Sequence, residues 1–280
     1  MTMKFIDDSR IPYQPYPELH GVLDVFTTEL SAELADNLIG IYMLGSLAVG
    51  DFDADSDVDF LVVTRTEITE SVSKRLQAIQ EKIYAMDCYP AHHLEGSFIT
   101  LDDLNDASVV GKKELYYFDN GWTDIEKSVH DNQWHVRWIL RERGVTLIGP
   151  KPVEFVNLVP DEALRSEMKN AMLERMKEFE ESLDQPRCYS NSRFGQPHAV
   201  LTFCRMLQTL QTGSVASKKA AAGWAKGVVD ARWHKVIDDA LIEREGVRFM
   251  VKIKQRAEQS VLDESLAFMR DVVSMVDLSK

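Results

Sequence analysis

Two aspartates, Asp57 and Asp59, head an apolar run, Val58-Asp59-Phe60-Leu61-Val62-Val63. Residues two apart on a strand share a face, so both carboxylates point the same way while Val58 and Phe60 anchor the other side. Two hard oxygen anions on one face suit Mg²⁺, which also takes phosphate oxygens and water. Upstream, Ile41-Tyr42-Met43-Leu44 ends in Gly45-Ser46. Glycine lets a backbone approach a phosphate closely, and Ser46 with the neighbouring amides can donate to phosphate oxygens. Gly-Ser, a polar turn, then Asp-x-Asp opening a strand therefore spells a metal–nucleotide site. Asp51, Asp53 and Asp55 read as loop charges that deepen the negative potential around a cation.

A third carboxylate is expected on a neighbouring strand. Glu95, in His93-Leu94-Glu95-Gly96-Ser97-Phe98-Ile99-Thr100, is the best placed, sharing a strand face with Ser97 and Ile99. Glu81 and Asp87 are weaker competitors on or near a helix.

The elements that must position these residues can be read from periodicity. Val22, Val25, Phe26, Leu30 and Leu34 give helical spacing between Pro17 and Ala35, with Asn37 and Gly40 at the exit. Strands are expected over 41–44, 58–63 and 94–100, with a helical stripe at Val72, Leu76, Ile79 and Ile83 between the last two. Alternating strands and helices indicate an α/β domain. From Leu164 through Met168, Met172, Met176 and Phe179 to Leu183 a long helix follows, starting near Pro160-Asp161 with the aspartate as its cap. Helices over about 198–211 and 261–276 complete a helical bundle. The boundary is placed at 159/160, giving a first domain of 1–159 and a second of 160–280.

Bulk properties limit the function. The chain has 280 residues and a net charge of −13. An acidic surface without a Lys/Arg run argues against nucleic acid as partner. No apolar run approaches the ~20 residues of a membrane span, and the opening MTMKFIDDSR carries acids where a signal peptide is apolar. A cytoplasmic, monomeric protein acting on a small molecule is the expectation. Cys88, Cys188 and Cys204 fit no zinc spacing.

The Gly-Ser-x₁₀-Asp-x-Asp pattern is similar to that of the DNA polymerase β-like nucleotidyltransferase superfamily. Within it the chain most resembles the aminoglycoside 3''(9)-adenylyltransferases. The likeness continues through Gly144-Val145-Thr146-Leu147-Ile148-Gly149-Pro150, Val200-Leu201-Thr202-Phe203-Cys204-Arg205-Met206, and Thr212-Gly213 through Lys218 to Ala222-Gly223-Trp224-Ala225. The resemblance implies a nucleotidyltransferase domain with a mixed central sheet, followed by an all-α bundle. It implies Mg²⁺, one or two ions, and ATP as co-substrate. Asp57 and Asp59 match its metal ligands, and Glu95 its catalytic base, with a share in the metal. Gly45, Ser46 and Ser56 match its nucleotide-binding positions, Arg205 and Lys218 its triphosphate-binding cations, and Trp122 and His198 its drug contacts. Since the two cations lie in the second domain, domain closure would complete the site.

One stretch departs from the family. Members acting on streptomycin carry a tryptophan and acids just before the helix of Arg205. Here 185–197 reads Gln-Pro-Arg-Cys-Tyr-Ser-Asn-Ser-Arg-Phe-Gly-Gln-Pro, with neither. A polycationic drug needs carboxylates to pair its ammonium groups, so the expected acceptor is spectinomycin rather than streptomycin. Two other readings compete: a protein AMP-transferase of toxin–antitoxin type, against which the long helical domain argues, and a catalytically silent nucleotide-binding protein, against which the intact Gly45, Ser46, Asp57 and Asp59 argue.

Overall fold

The structure is a computed structural model that describes residues 16–53, 56–119, 124–183, 185, 188–245 and 249–277. It divides into two compact units, Met1–Val159 and Pro160–Lys280. Trp122 lies outside the described residues.

The first unit opens with α1 (Leu19–Leu34), whose Leu19, Val22, Leu23, Phe26, Leu30 and Leu34 are all buried. Their three- and four-residue spacing makes one apolar stripe facing the sheet. Then come β1 (Leu38–Met43), a one-turn helix α2 (Gly45–Val49), β2 (Val58–Thr64), α3 (Glu70–Tyr84), the short α4 (Tyr89–His92), β3 (Leu94–Thr100) and α5 (Leu101–Asn105). Thr69 caps α3 by accepting from the Val72 amide at 3.3 Å. The unit continues with β4 (Leu115–Phe118), β5 (Glu126–Ser128), α6 (Trp134–Arg143) and β6 (Val145–Ile148).

The six strands form one sheet in the order β5-β4-β3-β2-β1-β6. Only β2 and β3 are parallel; the other four pairings are antiparallel. The sheet is therefore mixed, as the family resemblance implied. Phe60 holds the centre of its covered face, 4.7 Å from Phe26 of α1 and 5.6 Å from Phe118 of β4 between ring centroids. Val58, Phe60 and Val62 join this core, so the alternate position, Asp59, is turned to the opposite face.

The described residues of the second unit are helical: α7 (Asp161–Ser182), α8 (Gly195–Thr212), α9 (Lys218–Ala225), α10 (His234–Arg244), α11 (Phe249–Lys252) and α12 (Gln259–Asp277). The methionines of α7 pack with Leu201, Cys204 and Leu207 of α8 and Phe268, Met269 and Val272 of α12. They are core, as their stripe indicates. Among the described residues all three cysteines are free, and Cys204 is buried.

Three local expectations change. The turn after β1 is a helical turn, closed by Gly50 in the left-handed region. Asp57 lies one residue ahead of β2 rather than within it. The cap of α7 is Pro160, without a side-chain hydrogen bond, and Asp161 stands inside the first turn, where its charge meets the helix dipole instead. Strands β4, β5 and β6 are too short for a periodic signature.

Gly96 allows β3 to lie close against β2: a Cβ there would sit 2.1 Å from the Phe60 carbonyl oxygen. Gly96→Ala is expected to part the two strands and lower the unfolding free energy by about 3 kcal/mol, in line with other steric insertions into a packed core. Urea denaturation of the variant checks this.

Candidate active site

The site is built at the heads of the two parallel strands. Their register sets Val58 beside Leu94 and Asp59 beside Glu95. Neighbouring strands run about 4.8 Å apart, and paired residues face the same side. The structure thus brings Asp59 and Glu95 together on one face. Asp57 is near enough to add its negative charge to that acting on Glu95.

Gly45 completes this corner. Its φ is +50°, and a Cβ on it would lie 1.8 Å from Asp59 Oδ2. The Leu44 amide donates to the Asp59 carbonyl at 2.8 Å. Backbone and carboxylate of Asp59 thus both rest on the Leu44-Gly45 corner, where only a residue without a side chain fits.

The two serines differ. Ser46 Oγ is buried and has no hydrogen-bond partner among the described residues. A buried hydroxyl left unpaired costs free energy unless a ligand satisfies it. Ser56 donates its hydroxyl to Asp53 Oδ1 at 2.7 Å and accepts from the Asp53 amide at 3.1 Å. Its side chain is committed to the loop, whose Phe52 is buried.

Glu95 is held from its other side. Tyr117 of β4 donates to Glu95 Oε1 at 2.5 Å, and His130 Nε2 stands 3.5 Å from the same oxygen. Burial pushes the Glu95 carboxyl up to about 7; the Tyr117 hydrogen bond and the His130 charge oppose this, and the charges of Asp57 and Asp131 add to it. The hydroxyl of Tyr117 is raised in turn, by burial and by the Glu95 charge. Asp131 accepts from Ser97 Oγ at 2.7 Å, and burial raises its carboxyl as well. Glu81 and Asp87, the weaker candidates, are exposed.

No three His, Cys, Asp or Glu side chains converge as a ready cation cage among the described residues. Glu95, the third carboxylate of the expected metal set, has one oxygen held by the Tyr117 bond. Two carboxylates with an orphaned hydroxyl beside them remain a good fit for Mg²⁺ carried on a nucleotide, because Mg²⁺ is commonly held by one or two carboxylates plus phosphate oxygens.

The second unit gathers a separate set. His198 and Arg205 lie on α8 and Lys218 opens α9. Burial holds the His198 imidazole well below its ordinary range, and Lys218, Arg175, Arg205 and Arg244 press in the same direction. The ring is neutral, with four cations within electrostatic reach. Arg175 and Arg244 were not singled out by the sequence, where each is one charge among many on a helix. Tyr117, His130 and Asp131 escaped notice for a similar reason: they follow no motif and meet Glu95 only through the sheet.

Comparison with known proteins fits this geometry. Residues 26–99 match the nucleotidyltransferase domain, and residues 155–270 match the aminoglycoside adenylyltransferase C-terminal domain. The spectinomycin 9-adenylyltransferase of Staphylococcus aureus is 26% identical over 258 residues, 88% of either chain. The aminoglycoside (3'') (9) adenylyltransferase of Escherichia coli is 22% identical over 225 residues, 75% of this chain and 79% of that one. A crystal structure of spectinomycin adenyltransferase AAD(9) from Enterococcus faecalis, with ATP and spectinomycin, superimposes with a TM-score of 0.65 at 16% identity. It covers 91% of this chain and 99% of its own. Fold and paired acids define a nucleotidyltransferase. The chain thus carries a nucleotidyltransferase domain followed by a region matching the aminoglycoside adenylyltransferase C-terminal domain.

Because the folded-state value of Glu95 lies above the ordinary 4.5, the folded protein keeps a proton that the unfolded chain has released between those two values. The contribution of Glu95 to stability is therefore full below pH 4.5 and is lost as pH rises to about 7. Glu95→Gln removes that loss. In buffer free of divalent cations the variant is expected to exceed the parent by about 2 kcal/mol at pH 8 and to match it near pH ~4. Denaturant titrations at the two pH values check this, and an equal difference at both would contradict it.

Proposed function

We propose that the protein transfers AMP from Mg-ATP to a hydroxyl of a small aminoglycoside-type antibiotic, releasing pyrophosphate. The observation that carries this reading is the pairing of Asp59 with Glu95 beside an unsatisfied Ser46 hydroxyl. The names of the relatives, spectinomycin and aminoglycoside adenylyltransferases, supply the acceptor class, and the AAD(9) complex supplies ATP.

In this reading Asp57 and Asp59 hold one or two Mg²⁺ ions. When bound, the metal screens the triphosphate and stabilises charge on the attacking and leaving oxygens. Gly45 admits the phosphate to the backbone, and Ser46 donates its hydroxyl to a phosphate oxygen. Glu95 takes the proton of the acceptor hydroxyl; a carboxyl with a value near 7 is well matched to a base at neutral pH. Tyr117 and His130 keep Oε1 in place during that transfer. The freed oxygen attacks the α-phosphorus, the bond from that phosphorus to the bridging oxygen breaks, and pyrophosphate carries the electron pair away. Arg205 and Lys218 supply positive charge for the departing group.

The acceptor is spectinomycin rather than streptomycin, because 185–197 holds no acid and no tryptophan. The cations around His198 suit phosphate better than a drug's ammonium groups, so His198 is placed with the nucleotide side rather than the drug. Trp122 keeps its assignment as an aromatic drug contact from the sequence alone. The Ser56 hydroxyl is structural, and only its backbone is left for the nucleotide. Among the described residues no helix is long and apolar enough to cross a membrane; a cytoplasmic monomer that binds neither membrane nor nucleic acid is the reading carried from the acidic sequence.

Pyrophosphate release from Mg-ATP, measured against spectinomycin, streptomycin and other aminoglycosides, tests the proposal. Release is expected with spectinomycin and a fall of at least ~100-fold in Asp57→Asn and Asp59→Asn proteins. Silence with every drug would overturn the acceptor assignment, and release undiminished in the variants would overturn the site.

A further inference from the structure

Asp57 stands one residue before β2, and its side chain is 47% exposed. The strand ladder fixes its neighbour, since the Val58 amide donates to the His93 carbonyl at 2.8 Å. It does not fix the Asp57 carboxylate, which on its own would sample several rotamers at an entropic cost to any ligand that needs one of them.

The register that sets Val58 beside Leu94 sets Asp57 beside His93. His93 Nδ1 lies 3.0 Å from Asp57 Oδ1. A carboxylate oxygen accepts, so the imidazole carries its proton on Nδ1. The ring is itself clamped: it stacks on Tyr89 at 3.9 Å between centroids with 16° between planes. Tyr89 stacks in turn on Tyr16, at 4.6 Å and 12°. A column of three rings thus ends in a hydrogen bond to one oxygen of Asp57. The adjacent His92 is different: its Nε2 meets the Tyr84 carbonyl at 3.1 Å, and its ring stacks on Tyr84.

We propose that His93 is a positioning residue for the metal site, holding Oδ1 of Asp57 so that Oδ2 is presented to the divalent cation. This rests on the reading of Asp57 as a metal ligand. Imidazole and carboxylate partners behind metal ligands orient them, and their loss typically weakens metal binding by 10–100-fold. The role needs only the Nδ1–H donor and the ring stack.

The test is the affinity for Mn²⁺ in the presence of α,β-methylene-ATP, read by electron paramagnetic resonance of free Mn²⁺, with circular dichroism to verify folding. His93→Phe keeps a stacking ring and loses the donor; His93→Asn restores an amide donor near the place of Nδ1. His93→Phe is expected to weaken Mn²⁺ binding roughly 10-fold, and His93→Asn to recover much of the loss. Tyr89→Leu, which leaves the imidazole but removes its clamp, gives a smaller loss and serves if His93→Phe does not fold. If Asp57→Asn abolishes binding while His93→Phe binds like the parent, the proposal fails and the metal-ligand reading stands. If Asp57→Asn binds like the parent, the metal-ligand reading itself fails. Equal loss in His93→Phe and His93→Asn would assign the effect to packing and overturn the positioning role.

Discussion

Everything at this site depends on a register that sets two acids side by side. Asp59 and Glu95 are direct neighbours on adjacent parallel strands, and like charges placed so destabilise a sheet. The fold tolerates them because the opposite face of β2 is locked: Phe60 packs against Phe26, Phe98 and Phe118. A slip by one residue would turn Phe60 outward and the acids into the core. What remains of the repulsion is spread over specific partners, with Tyr117 and His130 on Glu95 and His93 on Asp57. The raised carboxyl of Glu95 comes first from its burial, with the charge of Asp57 adding to it. A divalent cation held by Asp57 and Asp59 would offset the negative charge gathered at this corner.

Much of this was legible in the chain because motif and periodicity coincide where the chemistry is. Asp-x-Asp heads an apolar run, and the buried alternation of Val58, Phe60 and Val62 fixes which way Asp59 points. The pairing of Asp59 with Glu95 was not legible. Strand order and register are long-range properties, and 36 residues separate the two acids. Nor were Tyr117, His130 and His93, which meet their partners only through that register. The strands β4 and β5, of four and three residues, are too short to show a period, yet they frame Glu95. Ser46 and Ser56 look equivalent in the sequence, and only local geometry separates the orphaned hydroxyl from the committed one.

The second unit follows a simpler logic. Helical spacing of Met168, Met172, Met176 and Phe179 gave the long helix almost to its ends, because packing of an apolar stripe, rather than capping, sets its span. Arg205 and Lys218 were found by family likeness. That they share an electrostatic environment with Arg175, Arg244 and a neutral His198 is a tertiary fact.

The central claim is that Ser46, Asp57 and Asp59 receive a metal–nucleotide complex as a unit. Crystals grown with Mn²⁺ and α,β-methylene-ATP, measured for anomalous scattering of manganese, test it most directly. The account predicts a manganese peak bonded to both Asp57 and Asp59, and a phosphate oxygen within hydrogen-bond reach of Ser46 Oγ. A nucleotide bound elsewhere, or a manganese ion touching neither aspartate, would contradict it.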